Sequence, residues 1–100
     1  MKRTLVRYKT KPETREQNRR LIENVFEELR AKSPEGVRYM VLMLDDGSFL
    51  HFVESRNPDN SVPKLDAFKL FQGGIRDRCA EPPHASEATI VGNYRMLDER

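Results

Sequence analysis

The first residue that could carry chemistry is His51, one of two histidines, which falls inside the predicted strand FLHFVES (49–55). A histidine there can act as a general base or hold a ligand in a cavity, because its ring titrates near neutral pH. It can equally be a packing residue, bonded to a polar group across the strand or on a partner subunit. His84 lies in a predicted loop, PPHAS, and is expected at the surface. The sequence leaves both roles of His51 open.

Two arginines lie in strands that otherwise read as buried, Arg7 in RTLVRYK (3–9) and Arg38 in VRYMVLML (37–44). A buried guanidinium needs a partner, and its planar set of donors suits a substrate carboxylate or phenolate. The ordinary alternative is an ion pair with Glu54 or with a carboxylate across a subunit interface. Arg7 and Arg38 are therefore candidate catalytic residues that would stabilise an anionic substrate.

Further candidates would bind or orient a ligand. Tyr8, Tyr39 and Tyr94 can hold a small aromatic molecule, although tyrosines on strands usually pack with a wet hydroxyl. Asn93 is a candidate for orienting a substrate. Gly73 and Gly74 interrupt the predicted second helix, where each glycine costs about 1 kcal/mol relative to alanine. This interruption predicts either a pocket between helix and sheet, or close helix–sheet packing, or simply two short helices. The pocket would be walled by Phe68, Phe71 and Ile75.

Several classes of function are excluded by what the chain lacks. It has no phosphate-binding glycine loop, no dinucleotide-binding or metalloprotease motif and no Cys/His cluster, so neither a metal nor a cofactor is predicted. The 18 Lys and Arg against 16 Asp and Glu give a mixed net charge of +2, which argues against nucleic acid and membrane partners. A single cysteine, Cys79, and no apolar run of signal-peptide or membrane-spanning length indicate a cytoplasmic protein.

The hydrophobic pattern predicts the element order βαββαβ within one domain over 1–100. The predicted elements are a strand at 3–9, a helix whose stripe includes Ile22 and Val25, a hairpin at 37–55, a helix opening at Pro63 and ended by EPPH (81–84), and a strand at 88–97. This order is that of a ferredoxin-like α+β fold. We expect four antiparallel strands with two helices on one face.

The hairpin MVLMLDDGSFLHFVE (40–54) is apolar on both faces. Asp46-Gly47 is typical of a type I′ turn, and that centring predicts three cross-strand pairs, Leu44 with Phe49, Leu42 with His51 and Met40 with Val53. The helices cover one face, while burying each large apolar side chain on the other is worth about 1.5–3 kcal/mol. Either a second subunit's sheet or a large apolar ligand must cover that face. A homodimer through the sheet face is the commoner solution.

With these elements in place, the sequence resembles the dimeric α/β barrel superfamily, and within it the antibiotic-biosynthesis-monooxygenase-like proteins. The likeness rests on the element order, the LDDGSFLHFVE hairpin, and the LDAFKLFQGGIRDRC helix ahead of IVGNYRML. It implies two ferredoxin-like monomers packed sheet on sheet, each with an apolar cavity beside its helices. The activities it implies include cofactor-independent oxygenation of polycyclic phenols and quinols, and haem degradation.

The resemblance transfers few site residues. The haem-degrading branch uses an asparagine on the first strand with a tryptophan and a histidine at the second helix, whereas this chain offers Arg7, no tryptophan, and no histidine within 64–81. The implied function is a homodimeric small-molecule-binding protein that oxygenates an aromatic or quinol-like substrate. His51 would be the base, Arg7 or Arg38 would stabilise the phenolate, and Asn93 or a tyrosine would orient the substrate.

Two other functions fit the same pattern. The first is a non-catalytic dimeric domain whose cavity is vestigial or binds a regulatory ligand. The second is an RNA-recognition domain, which shares the βαββαβ order and stacks bases on aromatic residues of its first and third strands. An RNA-recognition domain would be a monomer with an exposed sheet, whereas the other two functions require a dimer.

Overall fold

The structure, a computed structural model, describes residues 1–56 and 61–97. One four-stranded antiparallel sheet, in the order β2-β3-β1-β4, carries the helices on one face. The elements in chain order are β1 (Lys2–Thr10), α1 (Arg15–Lys32), β2 (Val37–Met43), β3 (Ser48–Ser55), α2 (Asp66–Gly73), α3 (Ile75–Arg78) and β4 (Cys79–Glu87), with single 3-10 turns at Pro12–Thr14 and Val62–Lys64. The predicted ferredoxin-like α+β fold is confirmed. No helix among the described residues is long and apolar enough to cross a membrane.

The core lies between the sheet and the helices. Alternate residues of a strand point to opposite faces, so Tyr8 of β1 and Phe49 of β3 point towards the helices. On helix α1, Ile22 and Val25 pack against them; both lie on the predicted stripe and are buried. The core cluster consists of Tyr8, Ile22, Val25, Phe49, Leu65, Phe71 and Ile75.

The predicted hairpin register was wrong by one residue on β2. The loop is Asp45-Asp46-Gly47, closed by Gly47 N–H donating to the Leu44 carbonyl (3.2 Å) and Leu44 N–H donating to the Ser48 carbonyl (2.8 Å). This is a three-residue loop that ends in a left-handed glycine, Gly47 with φ +90°, rather than a type I′ turn. The observed pairs are Met43 with Phe49, Val41 with His51 and Tyr39 with Val53.

A shift of one residue exchanges the two faces of a strand. Tyr39 and Val41 therefore point towards the helices together with His51. The opposite side of the sheet, which we call the open face, carries the apolar side chains Leu5, Met40, Leu42, Leu50 and Phe52. The hairpin is apolar on both faces, as predicted, but with different β2 residues on each.

The predicted position of the last strand was also wrong. Strand β4 covers Cys79–Glu87, whereas residues 88–97 contain no strand. The sequence pattern predicts a helix end at Pro82 and Pro83, but β4 is an edge strand, where a missing N–H is tolerated. The register shifts between Arg7 and Lys9, opposite the two prolines, so one extra residue bulges there.

Candidate functional site

A cavity of about 230 Å³ lies between the helix-facing side of the sheet and the segment that leads into α2. Most of its wall is apolar, including Val6, Val53, Val62, Phe68 and Phe71. The polar side chains in the wall are those of Thr4, Tyr8, Tyr39, His51 and Gln72. A mostly apolar cavity with a few polar groups is the usual form of a small-molecule site.

His51 stands in the wall with both ring nitrogens engaged. It pairs with Val6 of β1 and Val41 of β2 in the middle of the sheet, and only 5% of it is exposed. Its Nε2 lies 2.8 Å from the Tyr8 hydroxyl oxygen, and its Nδ1 lies 2.6 Å from the Tyr39 hydroxyl oxygen. Both distances are those of good hydrogen bonds. His51 therefore joins two tyrosines at the edge of the cavity.

The hydrogen-bond chain continues from Tyr8 into the core. Asn18 of α1, which is fully buried, donates from Nδ2 to the Tyr8 hydroxyl at 2.9 Å. The Asn18 Oδ1 accepts from Nε of Arg78 at 2.9 Å, and the same guanidinium donates to the Phe71 carbonyl and lies over the Phe71 ring. Arg78 is 4% exposed, and no carboxylate in the described residues pairs with it. We call the linked side chains of Arg78, Asn18, Tyr8, His51 and Tyr39 the polar chain.

Burial keeps His51, Tyr8 and Tyr39 of the polar chain neutral near pH 7. It lowers the pKa of His51 from 6.5 to about 4, because the charged ring is poorly solvated there. It also raises the pKa of the Tyr8 hydroxyl, against the lowering effect of the Asn18 hydrogen bond, and raises the pKa of the Tyr39 hydroxyl. The cavity wall therefore offers neutral hydrogen-bonding groups to a ligand.

Five of the predicted site residues come together at this cavity, namely Tyr8, Tyr39, His51, Phe68 and Phe71. Ile75 lies in the adjacent core cluster and not in the cavity wall. The broken second helix also takes a definite form, since α2 ends at Gly73 and α3 begins at Ile75. Gly74 leaves room for the polar chain, because a Cβ there would lie 3.1 Å from Nη1 of Arg78.

The other predicted site residues lie elsewhere. Arg7 and Arg38 are exposed, and the strand register places them on the open face, away from the cavity. Asn93 and Tyr94 follow β4 in an exposed segment, with 83% of Tyr94 accessible. Arg38 and Asn93 line a separate hollow of about 420 Å³ beside the open face.

Glu54, the expected partner of Arg7 and Arg38, pairs with a different arginine. Glu54 accepts a hydrogen bond from Nε of Arg3 at 2.7 Å, in an ion pair on β1 and β3. From the sequence, Glu54 is one of two alternative partners for Arg7 and Arg38, the other being a carboxylate across a subunit interface. The arginines with the strongest structural roles are therefore Arg3 at the sheet and Arg78 in the core.

Sequence reasoning missed Asn18 and Arg78, although a signal for each was present. Asn18 precedes Ile22 by four residues and Val25 by seven, so it continues the apolar stripe of α1 with a polar residue. Arg78 likewise follows Ile75 by three residues and Phe71 by seven. A polar side chain on a buried stripe indicates a partner in the core, because a buried polar group is normally hydrogen-bonded.

Comparisons with known proteins agree with this architecture. An antibiotic biosynthesis monooxygenase structure superposes with a TM-score of 0.75 at 16% identity, over 92% of this chain and 100% of that one. A candidate antibiotic biosynthesis monooxygenase from Nitrosomonas europaea gives 0.74 at 16% identity, over 92% and 100% of the two chains. A conserved protein from Methanosarcina mazei gives 0.72 at 16% identity, over 87% and 89%. No protein-family model and no curated protein sequence matches the chain. The chain therefore has the fold of the antibiotic biosynthesis monooxygenase structures.

Proposed function

We propose that the protein is a homodimer that binds a small, largely apolar aromatic molecule in the cavity beside its helices. The observation that carries this proposal is the pair of tyrosine hydroxyls held by His51 in an otherwise apolar wall. Buried polar groups of this kind orient a ligand, while the apolar wall supplies most of its affinity. The cavity volume of about 230 Å³ suits a molecule of one or two fused rings. Phe68 and Phe71, whose ring centroids lie 5.6 Å apart, offer faces and edges to such rings.

The open face supports the dimer. It is apolar along β2 and β3, and 46% of Leu42 is accessible in the single chain. Residues 88–97 lie alongside, where Ile90, Met96 and Leu97 face Met40 and Phe52 across the second hollow. A chain of this size gains much from burying such a face against a second copy of itself.

For the activity, we propose cofactor-independent oxygenation of a phenol or quinol-like substrate. The similar structures are named monooxygenases, which supports the oxygenation, and the aromatic, largely apolar cavity wall supports the substrate class. In such a reaction a phenol and O₂ yield a quinone and water. One oxygen atom of O₂ becomes the second carbonyl oxygen of the quinone. The ring hydrogen at that carbon and the phenolic hydrogen leave on the other oxygen atom as water. The substrate itself supplies the electrons.

The residues of the cavity wall would bind and orient the phenolic oxygen. Tyr39 lines the cavity and is the one member of the polar chain that is only partly buried. His51, with its pKa lowered to about 4, accepts a proton poorly and serves to hold Tyr39 in place. The proposal does not use Arg7 or Arg38, because both lie on the open face.

Oxygen uptake with 1-naphthol as the probe tests this activity. We expect wild-type protein to consume O₂ and to form a naphthoquinone, and we expect Tyr39→Phe to lose most of the rate. Tyr94→Phe, which changes an exposed tyrosine outside the cavity, is the matched control and should retain it. Saturable binding of 1-naphthol without oxygen uptake would favour the alternative, a non-catalytic ligand-binding domain. Absence of binding would contradict the proposed cavity function itself.

A further inference from the structure

The polar chain begins at a group that can only donate hydrogen bonds. A guanidinium carries five N–H donors and no acceptor, so the Asn18 atom that faces Nε of Arg78 must be the carbonyl oxygen. This contact fixes which way round the Asn18 amide lies. Its NH₂ group then points to Tyr8 and donates to the hydroxyl oxygen.

The direction of the next hydrogen bond, between Tyr8 and His51, depends on where the hydroxyl hydrogen of Tyr8 points. Tyr8 is 2% exposed, and Asn18 and His51 are its side-chain hydrogen-bond partners within the described residues. Because Asn18 donates, the acceptor for the Tyr8 hydrogen is Nε2 of His51. A neutral imidazole has one donor and one acceptor nitrogen, so the ring proton then lies on Nδ1.

The opposite tautomer would leave a buried donor without a partner. If Nε2 carried the proton, the Tyr8 oxygen would accept twice and its hydrogen would face the core with no acceptor. The penalty for an unsatisfied buried donor favours the Nδ1–H form by about fivefold to a hundredfold. In that form Nδ1–H donates to the Tyr39 oxygen, and the hydroxyl hydrogen of Tyr39 remains for a group in the cavity.

We infer that Arg78, through the polar chain, fixes the Tyr39 hydroxyl as a hydrogen-bond donor to the cavity. The ligand class that follows has an apolar ring frame and an oxygen that accepts, such as the carbonyl of an aryl ketone or quinone or the oxygen of a phenolate. Arg78 and Asn18 are positioning residues, because they act on the ligand only through Tyr8 and His51. The ligand class rests on the proposed function, whereas the direction of the polar chain does not.

The direction is tested without any ligand by ¹⁵N NMR of the His51 ring in the full-length protein at pH 7, with His84→Gln used to assign the signals. We expect Nδ1 to carry the proton. A ring protonated on Nε2 would overturn the inference. Arg78→Met frees the Asn18 amide to turn and accept from Tyr8, so we expect this variant to show a mixture of the two tautomers. In Asn18→Ala the Tyr8 hydrogen keeps Nε2 of His51 as its acceptor, so we expect the Nδ1–H form to persist. An Arg78→Met variant that folds, as judged by circular dichroism, and keeps only the Nδ1–H form would overturn the role of Arg78. If Arg78→Met does not fold, the wild-type tautomer decides.

The ligand class is tested with 1-tetralone and tetralin, which share a ring frame and differ by one carbonyl oxygen. One added hydrogen bond predicts that wild-type protein binds 1-tetralone about twofold to tenfold more tightly. Tyr39→Phe should abolish this preference, and Tyr94→Phe should keep it. A wild-type protein without the preference, or a Tyr39→Phe variant that retains it, would overturn the assignment of Tyr39 as the donor. If neither probe binds, the proposed function and the ligand class fail, while the tautomer measurement still decides the direction.

Discussion

The buried His51 predicts a specific loss of stability in acid. Its pKa is 6.5 when unfolded and about 4 when folded, so the unfolded state binds the proton more readily between these values. The stability that depends on a neutral His51 is fully present above pH 6.5, and it is lost as the pH falls from 6.5 through 4. The difference between the two pKa values corresponds to about 3 kcal/mol.

Urea denaturation of wild-type protein, His51→Gln and His84→Gln at pH 7 and pH 4 measures this loss. We expect His51→Gln to be less stable than wild type at pH 7 and to lose about 3 kcal/mol less on acidification. His84→Gln replaces an exposed histidine of β4 and is the matched control. An unchanged pH dependence in His51→Gln would show that His51 is not held neutral in the folded protein.

The single residues of the site could be predicted only in part. Residue type and element make His51, Tyr39, Phe68 and Phe71 candidates from the sequence, but they do not show that these side chains share one cavity wall. The contact between Asn18 and Arg78 joins positions sixty residues apart. A helical pattern shows that each is buried, but it does not show which buried polar groups meet, because that depends on how α1 and α3 pack.

At the scale of elements, the order βαββαβ could be predicted, but the register and the last strand could not. Both a type I′ turn and the observed loop use a glycine after an aspartate, so DDG alone does not choose between them. The fold adds one contact that sequence patterns do not contain, since the Arg15 guanidinium packs against Gly47. Prolines likewise argue against a strand until the sheet order shows that β4 is at an edge.

The same substitution at two glycines tests the hairpin loop. Gly47→Ala places a Cβ 2.5 Å from Nη2 of Arg15 at a backbone φ of +90°, so we expect it to destabilise the fold by about 1 kcal/mol or more. Gly73→Ala adds a Cβ in open space at the end of α2, where alanine is expected to stabilise by up to about 1 kcal/mol. Chemical denaturation of both variants gives the signs. A neutral Gly47→Ala would contradict the described loop.

At the scale of the whole molecule, the two faces of the sheet differ in how far they are covered. The helices cover one face, and the open face keeps Leu42 and its neighbours partly exposed. Of the aromatic residues on β1 and β3, Tyr8 and Phe49 face the helices and Phe52 lies on the open face. An RNA-recognition domain would need its stacking aromatics on the open face. The distribution therefore favours a second copy over RNA as the partner of this face.

Sedimentation velocity over a range of concentrations tests the dimer. We expect wild-type protein to sediment as a dimer and Leu42→Glu to shift it towards monomer, because a carboxylate would have to be buried in the interface. Leu70→Glu is the matched control, since Leu70 is 72% exposed on α2, away from the open face. A wild-type protein that is monomeric at all concentrations would refute the homodimer.

The central claim is that the cavity beside the helices, and not the open face, is the ligand site. Intermolecular NOEs between the ring protons of 1-naphthol and the labelled protein locate the bound probe directly. If the probe binds in this cavity, we expect NOEs to Phe68, Phe71 and the Val53 methyl groups in its wall. NOEs to Leu42 and Phe52 on the open face, or no NOEs at concentrations near the solubility limit of the probe, would contradict it.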